Sequence, residues 1–118
     1  MTKTKKELWY HGEALVSRYY QQQSYNLLAS NYTVRWWELD LVVEKDDSLR
    51  FVEVKVINHI DDVHGYVTKK KLYYLEKTIQ RFFLDPQWKQ YVSCDWSLDV
   101  VFVKNNDIFE VYEDVYLS

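Results

Sequence analysis

The sequence predicts an α/β fold in which a mixed β-sheet is flanked by helices. Two segments, 6–22 and 68–84, have the apolar spacing of amphipathic helices. An antiparallel hairpin over 36–57 lies between them, and two further apolar runs near the end of the chain have the composition of strands. The predicted order is α-β-β-β-α-β-β. Because helices alternate with groups of strands, we expect them to cover a sheet.

The composition is that of one folded domain over residues 1–118. Apolar residues make up 47% of the chain and aromatic residues 18%, which is enough bulky material for a core. Two glycines and one proline argue against long linkers and low complexity. The single cysteine, Cys94, excludes an internal disulfide and suits a reducing compartment, so we expect it to be a structural thiol.

We expect a soluble, cytoplasmic protein that does not enter a membrane. Residues 1–7 contain three lysines and are followed by no apolar signal core. No stretch approaches the roughly 20 apolar residues of a membrane span. The net charge of −3 is not typical of a nonspecific nucleic-acid binder, although lysines gather at 69–71 and acidic residues at 38–53 and 107–114.

The first predicted helix carries a carboxylate on its core-facing side. Trp9, Gly12, Val16 and Tyr20 follow the spacing of one helical face, and Glu13 lies within the same stripe. A carboxylate facing a core needs a partner. Glu13 is therefore a candidate site residue, with capping or pairing to a lysine as the alternative.

The segments that follow form the first three predicted strands. Residues 26–35 are predicted to be a short strand or loop, with Asn31 as a turn candidate. Residues 38–44 and 50–57 are predicted to be the two hairpin strands, and only Lys45-Asp46-Asp47-Ser48 separates them.

Alternation of side chains puts charged groups on one face of this hairpin. Glu38 and Asp40 share a face of the first strand, and Glu53 and Lys55 share a face of the second. A two-residue loop pairs residue 40 with residue 53, whereas a four-residue loop pairs it with Lys55. Facing carboxylates destabilise a sheet. A cluster of acids with one lysine therefore indicates a metal site.

The other face of the hairpin is predicted to be apolar. It consists of Leu39, Leu41, Val43, Val52, Val54 and Val56. The sheet is therefore expected to have an apolar side and a chemical side.

The second half of the chain is predicted to hold a loop, a helix and two strands. Residues 58–66 have turn composition, Thr68 can cap the second helix, and Asp85-Pro86 ends it. The buried stripe of this helix is predicted to be Leu72, Leu75, Ile79, Phe82 and Phe83. Later elements are a helical turn at 86–91, a strand at 98–103, a turn at 105–107 and a strand at 108–112.

The hairpin offers the donors that metal-dependent phosphodiester hydrolysis requires. Asp40 and Glu53, with the backbone carbonyl of Val54, can hold Mg²⁺ or Mn²⁺ through oxygen. Lys55 can orient a water molecule or stabilise charge that develops on the phosphate. Glu13 can reach the metal directly or through water.

The spacing of these residues resembles that of a known superfamily. The pattern Glu13 … Asp40 … Glu53-Val54-Lys55 is similar to the motif of the PD-(D/E)XK nucleases, which have a restriction-endonuclease-like mixed sheet flanked by helices. More closely, the chain resembles the small YraN-like family, which is related to archaeal Holliday-junction resolvases. The closer match covers about residues 8–112 and is carried by Gly12-Glu13-Ala14, Asn31-Tyr32, Arg35 to Leu41, Phe51 to Lys55, Val67-Thr68 with Lys71 and Leu75, and Asp99-Val100-Val101.

The resemblance implies an Mg²⁺-dependent endonuclease that acts on DNA, with branched or structured DNA as one option. It implies that Glu13, Asp40, Glu53 and Lys55 form the catalytic set. A solvated strand face, with the lysine as a salt-bridge partner, is the alternative interpretation of the hairpin acids.

Three residues depart from the family pattern. Trp37 stands where the family has glycine, and Thr33 and Ser97 stand where it has arginine. These changes keep the implied ligands and remove one small and two basic residues. A catalytically silent nuclease-fold module that binds nucleic acid or a protein partner therefore stays open. The many aromatic residues keep a third function open, a purely structural interaction domain.

Several basic residues outside the hairpin have two interpretations. Lys69, Lys70 and Lys71 can contact nucleic-acid phosphates or can form a solvated helix start. The three histidines can approach a phosphate or can be ordinary surface residues; they are His11, His59 and His64.

The aromatic residues also have two interpretations. Trp36, Trp37, Tyr73 and Tyr74 can stack on bases, or they can pack in a core or in a homodimer interface. Because Trp36 and Trp37 are adjacent, a strand would point them to opposite faces, and one of them could mark a dimer surface.

Overall fold

The protein is a five-stranded mixed sheet with one helix on each face, and the predicted α/β architecture is confirmed. The computed structural model describes residues 4–63 and 65–115. Short 3₁₀ segments at Ile60–Val63 and Pro86–Tyr91 flank the second helix. The main elements are α1 Lys5–Gln21, β1 Asn26–Thr33, β2 Glu38–Lys45, β3 Ser48–Val56, α2 Lys69–Leu84, β4 Asp95–Lys104 and β5 Asp107–Tyr112.

The strands lie in sequence order, β1-β2-β3-β4-β5. Neighbouring strands are antiparallel except β3 and β4, which pair in parallel. A parallel pair needs a long crossover, and α2 supplies it. The central strands are covered on both faces, which explains their nearly continuous apolar sequences.

Helix α1 begins at a side-chain cap and packs closely on β3. Thr4 accepts a hydrogen bond from the Glu7 N–H at 3.1 Å, which satisfies one free donor of the first turn. The predicted buried stripe is confirmed for Gly12, Glu13, Val16 and Tyr20. A Cβ atom at Gly12 would lie 2.8 Å from Cγ2 of Val56, so the absence of a side chain permits the close approach.

The hairpin has the shorter of the two predicted loops. Lys45 pairs with Ser48, and the two residues between them, Asp46 and Asp47, have φ angles of 52° and 59°. Two positive φ angles are those of a type I′ turn, whose twist matches the flanking strands. The regular β2–β3 ladder extends from this turn to Leu41, opposite Val52.

Most of segment 26–35 is a strand, β1 (Asn26–Thr33), and residues 34 and 35 lie in the connection to β2. β1 pairs with β2, with a register shift between Leu27 and Ala29 that marks a bulge. Asn31 has a φ of 53° but lies inside β1, so the prediction of a turn there is wrong. Asparagine tolerates this left-handed conformation better than most residues do.

The prediction of one apolar and one chemical side of the sheet is wrong, because hydrophobic clusters cover both faces. The α1-side cluster contains Val16, Tyr20, Leu41, Val43, Val52, Val54, Val101 and Val103. The α2-side cluster contains Leu39, Val42, Leu49, Phe51, Leu75, Ile79, Phe82 and Leu98. Leu39 and Leu41 therefore lie in different clusters, although strict alternation would have put them together.

Helix α2 confirms the predicted cap and termination. Thr68 accepts a hydrogen bond from the Lys71 N–H at 3.2 Å. The helix ends at Leu84, and Asp85 then caps the Pro86–Tyr91 segment by accepting from the Gln87 N–H. The predicted stripe packs in the α2-side cluster.

An unpredicted buried ion pair joins β3 to β4 on the α1 side. Asp99 is fully buried, and both of its oxygens accept hydrogen bonds from Nη1 of Arg50, at 3.0 and 3.1 Å. The Tyr20 hydroxyl also donates to Asp99, at 2.6 Å, as does the Asp114 N–H, at 3.0 Å. Arg50 additionally donates from Nε to the Tyr25 hydroxyl. This network links α1, β3, β4 and the segment after β5.

Within residues 4–63 and 65–115, no helix is long and apolar enough to cross a membrane. Cys94 is a free, partly buried thiol that packs against the α2-side cluster.

Candidate functional site

The site begins where β2 and β3 separate. Beyond the Leu41–Val52 pair, Asp40 Oδ2 accepts a hydrogen bond of 2.7 Å from the Val54 N–H. The Asp40 side chain thus accepts the hydrogen bond that the Val54 N–H would otherwise donate to the backbone of a neighbouring strand. Asp40 is only 7% exposed, so its carboxylate is fixed in place at the fork.

Three carboxylates converge at this fork. One oxygen from each of Glu13, Glu38 and Asp40 lies within 4.8 Å of the other two. Glu13 reaches the group from α1 and is buried, and Glu38 is partly buried at the start of β2. The predicted catalytic set lacks Glu38. Its position two residues before Asp40, on the same predicted strand face, is the sequence feature that could have identified it.

Glu53 and Lys55 meet Asp40 in a cleft of about 690 Å³. Glu53 lies outside the group of three carboxylates, but its charge acts on Tyr66 and it borders the same cleft as Asp40. The other residues that line the cleft include Lys5 and Trp9 of α1, Trp37 and Glu38 near the start of β2, Val54, and Tyr66 from the loop before α2.

Two lysines flank the ring of Tyr66 at the edge of this cleft. Nζ of Lys55 lies 5.5 Å from the ring centroid, and Nζ of Lys71 lies 3.3 Å from it. The positive charge of Lys71 also acts on Glu53. Lys71 therefore faces the candidate site, whereas Lys69 and Lys70, the other two lysines of the predicted phosphate-binding run, are exposed.

Comparison with known proteins places the chain in a family. The model of an uncharacterised protein family, UPF0102, matches residues 12–103. The chain belongs to the UPF0102 family. The match includes Glu13, Glu38, Asp40, Glu53, Lys55 and Lys71.

Similar UPF0102 proteins occur in several bacteria. A protein of Campylobacter jejuni is 29% identical over 104 residues, which is 88% of each chain. One of a Sulfurihydrogenibium species is 31% identical over 113 residues, 94% of each chain. A third, from Syntrophomonas wolfei, is 48% identical over 50 residues, which cover 42% of this chain and 44% of that protein.

Burial and mutual repulsion raise the pKa of the acids in this UPF0102 site. Burial, followed by the charge of Asp40, raises the pKa of Glu13 to about 8. Burial also raises the pKa of Asp40 to about 7, against the lowering effect of the Val54 hydrogen bond. The pKa of Glu53 is raised well above its ordinary range, again by burial and then by Asp40. Burial, and then Lys55, lowers the pKa of Lys71.

The chemistry of these donors fits a hard divalent cation. Carboxylate and carbonyl oxygens are the ligands that Mg²⁺ takes in proteins. Oε2 of Glu13 and Oε1 of Glu53 are buried without any hydrogen-bond partner, which is costly for a polar atom. A cation beside either oxygen would give it a partner and would offset the repulsion among the acids.

The raised pKa of Glu13 leads to a stability prediction. Between its ordinary pKa of 4.5 and about pH 8, the folded protein retains a proton that the unfolded chain releases, so the free energy of unfolding falls as pH rises through this window. Without divalent ions, we expect Glu13→Gln to raise the free energy of unfolding by at least about 2 kcal/mol at pH 8 and to change it little at pH 4. Urea titrations at both pH values measure the difference.

The exposed Glu113 provides the control for this measurement. Glu113→Gln should leave the free energy of unfolding nearly unchanged at both pH values, because the side chain is exposed to solvent. An equal effect of Glu13→Gln at pH 4 and pH 8 would contradict the titration argument and would indicate a packing effect instead.

The three histidines were also predicted as candidates. His59 is exposed, and its N–H donates to Asp62 within the loop before α2. His11 is half-buried on α1. Neither lines the cleft. His64 lies outside the described residues.

Trp36 and Trp37 do not point to opposite faces, so that prediction is wrong. Both belong to the connection between β1 and β2 rather than to a strand. Trp37 stacks on Tyr74 of α2, with parallel rings 5.6 Å apart, and Trp36 lies near Lys77 of the same helix. Both tryptophans therefore approach α2.

Proposed function

We propose that this UPF0102 protein is an Mg²⁺-dependent endonuclease that acts on DNA, with Mn²⁺ as a substitute metal. One observation carries the proposal: Asp40, Glu53 and Lys55 line a single cleft, and carboxylate oxygens of Glu13 and Glu38 lie within 4.8 Å of an Asp40 oxygen. The resemblance of the acid and lysine spacing to the PD-(D/E)XK motif supports it from the sequence.

The acidic residues are proposed to coordinate the cation in two groups. Asp40, Glu53 and the backbone carbonyl of Val54 are the proposed inner ligands. Glu13 and Glu38 supply further oxygens, directly or through water. When bound, Mg²⁺ polarises a phosphate and lowers the pKa of a water molecule.

Lys55 is the proposed catalytic lysine, which supplies a positive charge in addition to that of the metal. It is partly buried in the cleft and is one of the two lysines that flank Tyr66. An ammonium group held in this position stabilises negative charge as it develops on the phosphate, or orients the attacking water. Lys71 adds a second positive charge on the α2 side of the cleft.

A cleavage assay tests the proposal. Purified protein is incubated with single-stranded, duplex, flap and four-way DNA, with Mn²⁺, with Mg²⁺ or with EDTA. We expect cleavage of at least one substrate only when the metal is present. Lys55→Ala should slow this cleavage by at least about 100-fold, as does loss of other preorganised charge stabilisers. Lys89→Ala removes an exposed lysine outside the cleft and should leave the rate unchanged.

The contrary outcome has a specific meaning. Calorimetric titration with millimolar Mg²⁺ or Mn²⁺ that shows no heat, together with no cleavage of any substrate, would favour the catalytically silent binding module. Cleavage that persists in EDTA, or that is equal in wild type and Lys55→Ala, would refute the metal-dependent mechanism.

A further inference from the structure

The solvent-facing side of α2 combines aromatic and basic side chains. We call this surface the α2 outer face, and it consists of Lys69, Lys70, Tyr73, Lys77 and Arg81, together with Trp36 from the β1–β2 connection. All six residues are exposed. The opposite side of α2 supplies the buried stripe, so the outer face is not needed to hold the sheet and helix together.

Two aromatic rings lie open on this face. Tyr73 is 56% exposed and Trp36 is 40% exposed. Nζ of Lys77 lies 5.3 Å from the Trp36 ring and 5.2 Å from the Tyr73 ring. One ammonium group thus contacts two exposed rings that come from different parts of the chain. The result is a pair of aromatic surfaces with a positive charge between them.

The charge of the outer face is opposite to that of the whole protein. Four of its six residues are lysine or arginine, while the protein has a net charge of −3. The only acidic residue of α2 is Glu76, which is partly buried. A basic, aromatic surface on an acidic protein is complementary to a nucleic acid, whose phosphates are negatively charged and whose bases can stack on aromatic rings.

The outer face continues into the cleft. Trp37 directly follows Trp36, lines the cleft and stacks on Tyr74. Tyr74 in turn contacts Tyr73, with ring centroids 5.4 Å apart. A chain of aromatic contacts therefore leads from the candidate metal site to the exposed rings. A nucleic-acid strand that leaves the cleft on this side meets those rings next.

We propose that the α2 outer face binds an unpaired DNA segment adjacent to the cleavage point, with bases stacking on Trp36 and Tyr73 and phosphates contacting the lysines and Arg81. In a duplex the flat faces of the bases are covered by their neighbours, whereas in a single strand they are open to aromatic side chains. The substrate class is therefore DNA that carries a single-stranded segment. This inference rests on the proposed function, since it assigns the rings to the strand that enters the cleft.

Fluorescence anisotropy in EDTA, which prevents metal-dependent cleavage, tests this binding surface. The probes are labelled oligothymidylate and a labelled hairpin duplex of equal length. Wild type should bind the single strand more tightly than the duplex. Trp36→Ala/Tyr73→Ala should weaken single-strand binding by at least about fivefold, because each stacked base contributes on this scale, and duplex binding by less. Trp36→Phe keeps a ring and should retain most of the affinity.

Exposed residues elsewhere on the protein provide matched controls. Phe109 of β5 is 39% exposed, close to the value for Trp36, and lies on the edge strand opposite β1. Phe109→Ala should leave both affinities unchanged. Lys77→Gln should reduce the slope of log affinity against log salt concentration by roughly the value for one phosphate contact. Arg18→Gln, on the exposed surface of α1, should not reduce it.

Three results would overturn the inference. The first is that wild type does not prefer the single strand. The second is that the double variant and Phe109→Ala have equal affinities for DNA. The third is that the double variant changes only the oligomeric state, which would make the α2 outer face a contact between two copies of the protein. Cleavage activity separates this inference from the proposed function. If wild type cleaves DNA while the double variant keeps its single-strand affinity, the inference alone fails. If the double variant loses that affinity while wild type cleaves nothing, the endonuclease proposal alone fails.

Discussion

Asp40→Asn is expected to abolish metal-dependent DNA cleavage without unfolding the protein. Asparagine keeps the shape of aspartate, and its Oδ1 can still accept the hydrogen bond from the Val54 N–H. It removes the negative charge that lies between Glu13, Glu38 and Glu53. We expect cleavage to slow by at least about 1,000-fold, because cation-assisted charge stabilisation contributes several kcal/mol and each ~1.4 kcal/mol is about tenfold in rate.

The same substitution should not weaken the fold. Burial raises the pKa of Asp40 to about 7, so near neutral pH its charge opposes folding when no cation is present. The melting temperature of Asp40→Asn in EDTA should therefore equal or exceed that of wild type. Millimolar Mg²⁺ should raise the melting temperature of wild type more than that of the variant, since ligand binding to the folded state alone is stabilising.

A matched substitution on the same sheet separates the site from general charge effects. Asp95 is exposed at the start of β4, beside Ser48 at the hairpin end of β3. Asp95→Asn should leave both cleavage and the Mg²⁺-induced stabilisation unchanged. Equal cleavage rates for wild type and Asp40→Asn would remove Asp40 from the mechanism, and with it the metal site proposed here.

The hairpin shows how far local patterns determine this site. Alternation and the short 45–48 connection limited the register to two alternatives, and the structure has the one with the two-residue Asp46-Asp47 turn, which brings Asp40 toward Glu53. Both depend on residues close in sequence. The end of the β2–β3 ladder at Leu41 was not predictable in the same way. It arises because the Val54 N–H donates its hydrogen bond to the Asp40 carboxylate instead of to a backbone carbonyl.

Departures from regular alternation explain the errors on either side of this fork. Leu39 packs with the α2-side cluster and Leu41 with the α1-side cluster, so the alternation of β2 breaks at Asp40. A strict period of two cannot represent such a break. Trp36 and Trp37 were misassigned for a related reason, since they form a connection whose direction depends on contacts with α2.

Partners that are distant in sequence were the least predictable. Arg50 and Asp99 are separated by 49 positions, and Tyr20 and Asp99 by 79. The sequence presented Arg50 as an ordinary strand residue and Asp99 as part of a family-like stretch. Only the parallel pairing of β3 with β4, which requires the α2 crossover, brings the two charges together.

Asp99→Asn is expected to cause a large loss of stability without touching the cleft. The carboxylate is fully buried and accepts from Arg50, Tyr20 and the Asp114 N–H. An amide offers one acceptor oxygen and places an NH₂ group against donors. Removing one partner of a buried pair costs about 3–5 kcal/mol. Because the Arg50 side chain is 26% exposed and can regain water, we expect about 3 kcal/mol.

A loss of this size should lower the melting temperature by more than about 10 °C. Calorimetry or urea titration measures it, with Asp95→Asn on the same strand as the exposed control. Arg50→Met combined with Asp99→Leu should recover part of the loss that Asp99→Leu alone produces, since an apolar pair leaves no uncompensated charge. If Asp99→Asn unfolds at the same temperature as the control, the network does not hold β3, β4 and α1 together as the structure indicates. The result would be independent of catalysis, because none of these residues lines the cleft.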